Sequence, residues 1–216
     1  RGISYCQLCT PLDYRFENRR FAMPREMITP QALANRITNV GAQARPDPQP
    51  ELIEEIDIRI IRNGTWLYHG SPITRKPLVK LFSTVLRREV DGNYYLVTPV
   101  ERCLVQVDDA PFVAVEVART KVNTQQVLKF RTNIDDEVIV DLKHPIRVEF
   151  HRRTGEPSPY VRVRDGLDAL ISRPVYYELV ELGVEAIRDN KSVYGVWSSG
   201  QFFELGELDE PNEVFE

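Results

Sequence analysis

The chain has no long apolar run: nothing in it approaches the ~18 residues of a membrane-spanning helix, so no transmembrane segment is expected. Its first thirty residues lack an apolar core of roughly 7–15 residues behind a basic start, the pattern of a secretory signal. Cysteine is scarce, and the odd set Cys6, Cys9 and Cys103 offers no disulfide framework and suits a reducing cytosol. Cys6-x-x-Cys9 has no second Cys-x-x-Cys or His-x3-His pair, so a tetrahedral zinc site is not expected. Positive charge is not in excess: 28 Lys and Arg against 32 Asp and Glu leave a net −4, which argues against generalised nucleic-acid binding. These absences point to a soluble, cytoplasmic chain without metal or cofactor. Methionine occurs only at Met23 and Met27, and the first residue is Arg1. Either the sequence is a fragment, or the arginine-rich, weakly periodic segment before Met23 is an upstream extension; the expected native start is Met23 or Met27.

What is present is ordinary for a folded protein, with 42% hydrophobic and 28% charged residues in 216. Charge gathers at the ends. Residues 1–25 carry five arginines against Asp13 and Glu17, while the stretch from Glu204 to Glu216 carries acids and no base.

One pattern is written twice. Ile58-Arg59-Ile60-Ile61-Arg62-Asn63-Gly64 precedes an Arg75-Lys76-Pro77 helix start and the strand Tyr94-Tyr95-Leu96-Val97. Val161-Arg162-Val163-Arg164-Asp165-Gly166 precedes an Arg173-Pro174 helix start and the strand Val193-Tyr194-Gly195-Val196-Trp197. Each reads as an alternating strand, a turn, a proline-initiated amphipathic helix and a return strand. Two such units packed together create a groove, a favoured place for a ligand. In the second copy the Trp66–Tyr68 strand has only the weak counterpart Leu167–Ile171.

Thr29-Pro30 reads as a helix start running to about Asn39, and the alternating prolines of Arg45–Pro50 as an extended linker. Asn63-Gly64-Thr65 fits a glycosylation sequon, but Asn-Gly between alternating strands is a hairpin turn first. The spacing Leu78, Leu81, Phe82, Val85, Leu86 predicts one helix face; Tyr176, Leu179, Val180, Gly183, Ile187 predicts another. Leu104–Val107 and Phe112–Val117 read as a hairpin through Asp108–Pro111, and Val193–Trp197 with Gln201–Leu205 as a closing hairpin. The expected division is residues 1–50 as extension, short helix and linker, 51–118 and 119–206 as the two repeats, and 207–216 as an acidic tail.

The run Asp57-Ile58-Arg59-Ile60, Gly64–Ile73, Leu81-Phe82-Ser83 and Tyr95–Glu101, followed by Arg173–Leu179 and Gly195–Gly200, resembles the bacterial domain of unknown function 1285 family over about Glu51 to Gly206. The resemblance implies a duplicated core of mixed helix and sheet, a second half similar to pleckstrin-homology-like folds, no established activity, and a role in membrane-linked or bacterial signalling. Pleckstrin-like similarity would not by itself license lipid binding.

Several residues could carry chemistry. His69 beside Ser71 lacks a visible orienting carboxylate and oxyanion donors, and reads first as a turn and a polar rim. His144 and His151 have no visible partner. Asp108-Asp109 and Asp135-Asp136-Glu137 could ligate a cation but sit at predicted turns, where aspartate bonds its own backbone. The first helix is basic outside (Arg75, Lys76, Lys80, Arg87, Arg88), the second acidic (Glu178, Glu181, Glu185), so the two faces could address different partners. The best ligand candidates are the aromatics Trp66, Tyr68, Tyr94, Tyr176, Tyr177 and Trp197, with His69, Arg75, Arg173 and Ser199 beside them.

The expectation is an α+β protein with a duplicated strand-helix-strand unit, two β-rich halves each with one main helix. It acts as a non-enzymatic ligand-binding or protein-interaction module, with one asymmetric site for a small anionic ligand or peptide between the repeats. The alternatives are a small hydrolase or transferase using that cleft with His69, and a membrane-surface adaptor through the basic first helix.

Overall fold

A threonine cap and a proline at the first helical position open α1 (Pro30–Val40) in the computed structural model, which describes residues 29–40, 51–99 and 101–208. The Ala32 N–H donates to Thr29 Oγ1 at 3.2 Å, and Leu33 and Ala34 are buried. The segment holding Cys6, Cys9, Met23 and Met27, the 45–50 proline stretch and the tail beyond 208 lie outside the described residues.

The first half comprises β1 (Glu51–Ile60), β2 (Trp66–Tyr68), β3 (Ser71–Pro72), α2 (Lys76–Val85), β4 (Leu86–Arg88), β5 (Tyr94–Val97) and β6 (Glu101–Val107). Asn63-Gly64 makes the expected hairpin, with Ile60 opposite Trp66 and Gly64 at φ 81°. The second half runs β7 (Phe112–Val122), β8 (Gln125–Thr132), β9 (Glu137–Ile139), β10 (Ile146–Phe150), β11 (Pro157–Arg164) and β12 (Leu167–Ile171), then α3 (Arg173–Glu181), β13 (Val184–Arg188), β14 (Lys191–Ser198) and β15 (Gln201–Glu207).

The protein is therefore mostly β, with two six-stranded sheets and a small third one of β13, β14 and β15. The sheet orders β3-β2-β1-β6-β5-β4 and β9-β8-β7-β12-β11-β10 are the same topology. In each, two antiparallel three-strand meanders join through one central parallel pair, β1 with β6 and β7 with β12. The duplication is real, but its register differs from the one expected. The second arginine strand, β11, is the fifth strand of its sheet, whereas β1 is the first of its own. What they share is a tight glycine turn into the next strand, not a position in the repeat. The helices are not equivalent either: α2 joins the third and fourth strands of its sheet, while α3 follows the sixth.

Three further expectations are corrected. Leu104–Val107 and Phe112–Val117 do not form a hairpin: β6 pairs with β5 and β1, β7 with β8 and β12, and residues 108–111 carry the chain between the sheets. β7 itself runs from Phe112 to Val122. The first helix stops at Val85, because Leu86 extends into β4 opposite Leu96; Arg87 and Arg88 are strand residues. The second helix stops before Gly183, whose N–H donates to Val180 O at 2.9 Å and whose missing side chain makes room for the Tyr194 ring, 2.3 Å from where a Cβ would lie. Glu185 and the 82% exposed Ile187 therefore belong to β13. Glu204, in the expected closing hairpin, and Glu207 both lie in β15.

Buried residues of both halves form one cluster, running from Ile58, Ile60, Phe82 and Leu96 to Phe112, Phe130, Leu167 and Leu179. Polar bonds close the seam. Asn133 Nδ2 donates to Gly64 O at 3.0 Å, Arg164 Nη2 donates to Ser83 O at 2.7 Å, and Lys76 Nζ lies 2.7 Å from Asp135.

Candidate functional site

Two concave sites flank the seam. The larger, a groove of about 470 Å³, forms where β11 begins and α3 starts. Its volume falls in the ~300–1,000 Å³ range usual for small-ligand pockets. Pro157, Ser158 and Pro159 form one wall, with Leu170 and Ile171 behind. The other wall is Ser172, Arg173, Tyr176 and Tyr177, brought together because a proline-started helix places i and i+3 or i+4 side chains on one face. Arg62, from the β1–β2 turn of the first half, completes it.

Within the groove, Arg62 Nε lies 3.1 Å from Asp109 Oδ2, and its Nη2 reaches Ser158 Oγ at 3.4 Å. Arg173 Nη2 is 3.3 Å from Glu156 Oε1, and both side chains are well exposed, so solvent and salt weaken that pair. Burial pushes the Tyr176 phenol above its ordinary range, while Tyr177 is 58% exposed. The groove thus offers two aromatic rings and two guanidinium groups whose own side chains are largely exposed.

The smaller site is a cleft of about 190 Å³ lined by Arg88 and Tyr94 of the first half, Asp109 and Ala110 of the link, and Arg147, Glu149, Tyr160 and Asp168 of the second half. The buried Asp168 accepts from Arg147 Nη2 at 3.0 Å and from Arg162 Nε. Tyr160 donates to Asp109 Oδ1 at 2.7 Å under the Arg147 guanidinium; burial and that bond push its phenol up to about 12.

Of the expected site residues, Arg173, Tyr176 and Tyr177 line the groove and Tyr94 lines the cleft. The other six stand elsewhere. Trp66 is core, 6.2 Å from the Phe82 ring. Tyr68 stacks edge-on against His69, whose Nδ1 lies 3.4 Å from Asp57 at an exposed corner. Arg75 donates to Gln31 of α1 at 3.0 Å. Trp197, half-exposed, meets Phe202 edge-on, and Ser199 Oγ donates to Val140 O at 2.9 Å. Arg62, Arg88, Arg147 and Asp168 were not singled out as ligand contacts; only the position of Arg62 just before an Asn-Gly turn hints at exposure near the seam.

The basic side of α2 is not a free surface: Lys76 pairs with Asp135, and Lys80 lies 3.7 Å from Asp136. The acidic clusters are likewise engaged, Asp108 with Arg59 at 2.7 Å and Glu137 with Lys129 at 2.9 Å. Among the described residues no group of three or more His, Cys, Asp or Glu is placed to hold a metal ion, and no helix is long and apolar enough to cross a membrane. His144 Nδ1 lies 3.0 Å from Asp141, and His151 Nδ1 lies 2.9 Å from the Thr154 hydroxyl, both away from the two sites.

The fold defines a class: a β-rich protein whose two halves repeat one six-stranded topology. The comparisons narrow that class. Residues 47–110 match the N-terminal domain of unknown function DUF1285, and residues 111–205 match the C-terminal domain of the DUF1285 protein of unknown function. The chain shares 44% identity with a DUF1285 family protein from Silicibacter pomeroyi, whose crystal structure aligns over 84% of this chain and 96% of that one with a TM-score of 0.71. A DUF1285 family protein from Shewanella baltica shares 30% identity over 58% of this chain and 91% of that one, with a TM-score of 0.47. No curated protein matches. The chain belongs to the DUF1285 family.

Proposed function

We propose that the protein is a non-enzymatic binding module whose main site is the groove at the start of α3. The observation that carries this reading is the joining of Arg62, from the first half, to Arg173, Tyr176 and Tyr177 of the second in one 470 Å³ groove. A guanidinium presents donors in a fork that matches a carboxylate or phosphate, and a tyrosine ring presents a flat apolar face with a polar edge. Together they favour a small ligand, or the end of a peptide, that carries an anionic group beside an apolar or aromatic portion. Neither wall includes a histidine or cysteine, which favours binding over the hydrolase or transferase alternative. The neutralising pairs along α2 likewise weigh against a membrane-surface adaptor. The pleckstrin-homology likeness expected of the second half adds no ligand of its own, since sites and not folds carry function. A role in signalling fits a binding module without catalysis.

The test is a thermal-shift screen of the full chain against N-acetylated amino acids, aromatic dipeptides with free C-termini, nucleotides and lipid head groups. A ligand that prefers the native state raises Tm. The reading expects a hit that combines anion and ring, lost in Arg173→Ala and in Tyr177→Ala; a hit converted to product contradicts it.

A further inference from the structure

Arg88 lines the seam cleft, exposed to solvent and in ion-pair contact with no acid among the described residues. It ends β4, its Cβ lies 3.2 Å from where a Cβ on Gly166 would be, and its Nε donates to Gly92 O at 3.3 Å. Both terminal nitrogens are thereby left without a protein acceptor among the described residues. The guanidinium lies over the Tyr94 ring, its carbon 5.5 Å from the centroid, so the cation already rests on an aromatic face. The half-buried Tyr94 hydroxyl has no hydrogen-bond partner among the described residues either, although its ring lines the cleft.

The acids of the same cleft are all engaged. Asp168 holds Arg147 and Arg162, Glu149 pairs with Arg147, and Asp109 holds Arg62 at 3.1 Å while accepting the Tyr160 hydroxyl. What remains without a protein acceptor is the solvent-facing Arg88 fork and the Tyr94 phenol, both donors. A single carboxylate satisfies that set, because it takes two parallel bonds from an arginine fork and keeps lone pairs for a third donor. A dianion such as phosphate would also have to approach three carboxylates in a partly desolvated site, where like-charge repulsion is much stronger than in water. Size limits the occupant as well: a cleft of about 190 Å³ lies below the ~300–1,000 Å³ usual for drug-sized ligands and favours a molecule of a few heavy atoms.

We infer that the seam cleft binds a small monocarboxylate through Arg88 and Tyr94. Its walls come from both halves, but Arg88 and Tyr94 both stand on the first sheet, so the acid is held from that side. No residue lines both this cleft and the groove beside α3. The two readings therefore stand or fall separately: Arg88 and Tyr94 variants report on the cleft, Arg173 and Tyr177 variants on the groove.

The source of the carboxylate, a simple organic acid or a free amino acid, is separated by the probes. Purified full chain is titrated with sodium propionate, L-alanine and inorganic phosphate at matched ionic strength, with thermal unfolding and calorimetry as readouts. At about tenfold excess over Kd a ligand should raise Tm by roughly 2–5 °C in a fold of this size. Propionate and alanine raising Tm equally identifies a site for any small carboxylate. A larger rise with alanine adds an ammonium contact to Asp109 or Glu149. Arg88→Met should abolish either rise, and Tyr94→Phe should weaken affinity roughly 2- to 10-fold, the loss of one hydrogen bond. The inference is overturned if neither acid raises Tm above matched chloride, if phosphate does so equally well, or if the rise survives Arg88→Met.

Discussion

Asn133 bridges the two halves through its amide: Nδ2 donates to the carbonyl of Gly64 at 3.0 Å, and Oδ1 accepts the Val113 N–H at 3.0 Å. Gly64 has no room for a side chain there, since a Cβ would fall 2.5 Å from Asn133 Nδ2, and its φ of 81° already disfavours any other residue. The turn of the first half and the β8–β9 connection of the second are thus one contact.

Removing that contact should cost stability rather than foldedness. Asn133→Ala leaves a carbonyl and an N–H unpaired in a partly buried place, a loss of about 1–3 kcal/mol. Urea unfolding should show a lower midpoint at an unchanged m value. Gly64→Ala should lose at least as much, and combining the two should be less than additive because they share one contact.

Asp168 is the second point of strength. It is buried and balances both Arg147 and Arg162, so Asp168→Ala leaves Arg162 without that acid and Arg147 with only its exposed pair to Glu149. Removing one partner of a fully buried ion pair typically costs about 3–5 kcal/mol, and because both guanidiniums are more than a third exposed, solvent screening brings the expected loss nearer about 1–3 kcal/mol. The same urea titration checks it; a loss as small as that of a surface pair contradicts the arrangement.

The Lys76–Asp135 pair gives the seam a pH dependence. The hydrogen bond from Lys76, with its charge and that of Arg131, holds the Asp135 carboxyl below its ordinary range. A depressed carboxylate pKa adds stability that is fully present above the unfolded value, near 4, and lost as pH falls through the folded value. Carboxyl-carbon NMR titration should find Asp135 low in the native protein and back near the ordinary value in Lys76→Ala. High salt should narrow that difference, since both groups are about half exposed.

Cys103 should be inert in the folded protein. It is 1% exposed on β6, and burial pushes its thiol up to about 11. In a Cys6→Ser/Cys9→Ser background, Ellman's reagent at pH 8 should label it only as fast as the protein unfolds. The raised pKa adds stability that is whole below the unfolded value, near 8.5, and fades as pH climbs toward 11.

Local chemistry was readable in the sequence. The Thr29 cap, the Asn63-Gly64 hairpin, the β14–β15 hairpin and the two proline-started helices all follow from residues that are neighbours in the chain. Long-range pairing was not. β12 is a central strand buried along nearly its whole length, Asp168 included, so Leu167–Ile171 lacks the apolar–polar alternation of a half-exposed strand and passes for a remnant. The parallel pairs β1–β6 and β7–β12 leave no local mark, and they decide which strands are equivalent. The same limit hid most of the seam: Arg62 meets Ser158 across 96 positions and Arg164 meets Ser83 across 81, whereas Arg173, Tyr176 and Tyr177 lie on one helical turn and could be grouped by spacing alone.

The central claim is that the groove beside α3 holds an anionic ligand. Titrating isotope-labelled protein with N-acetyl-phenylalanine and with aromatic dipeptides bearing free C-termini, followed by amide NMR, tests it most directly. Saturable shifts are expected at Arg62, at residues 156–159 and at residues 171–177, and none in Arg173→Ala. Shifts scattered elsewhere, unchanged by that substitution, or missing for every probe would contradict it.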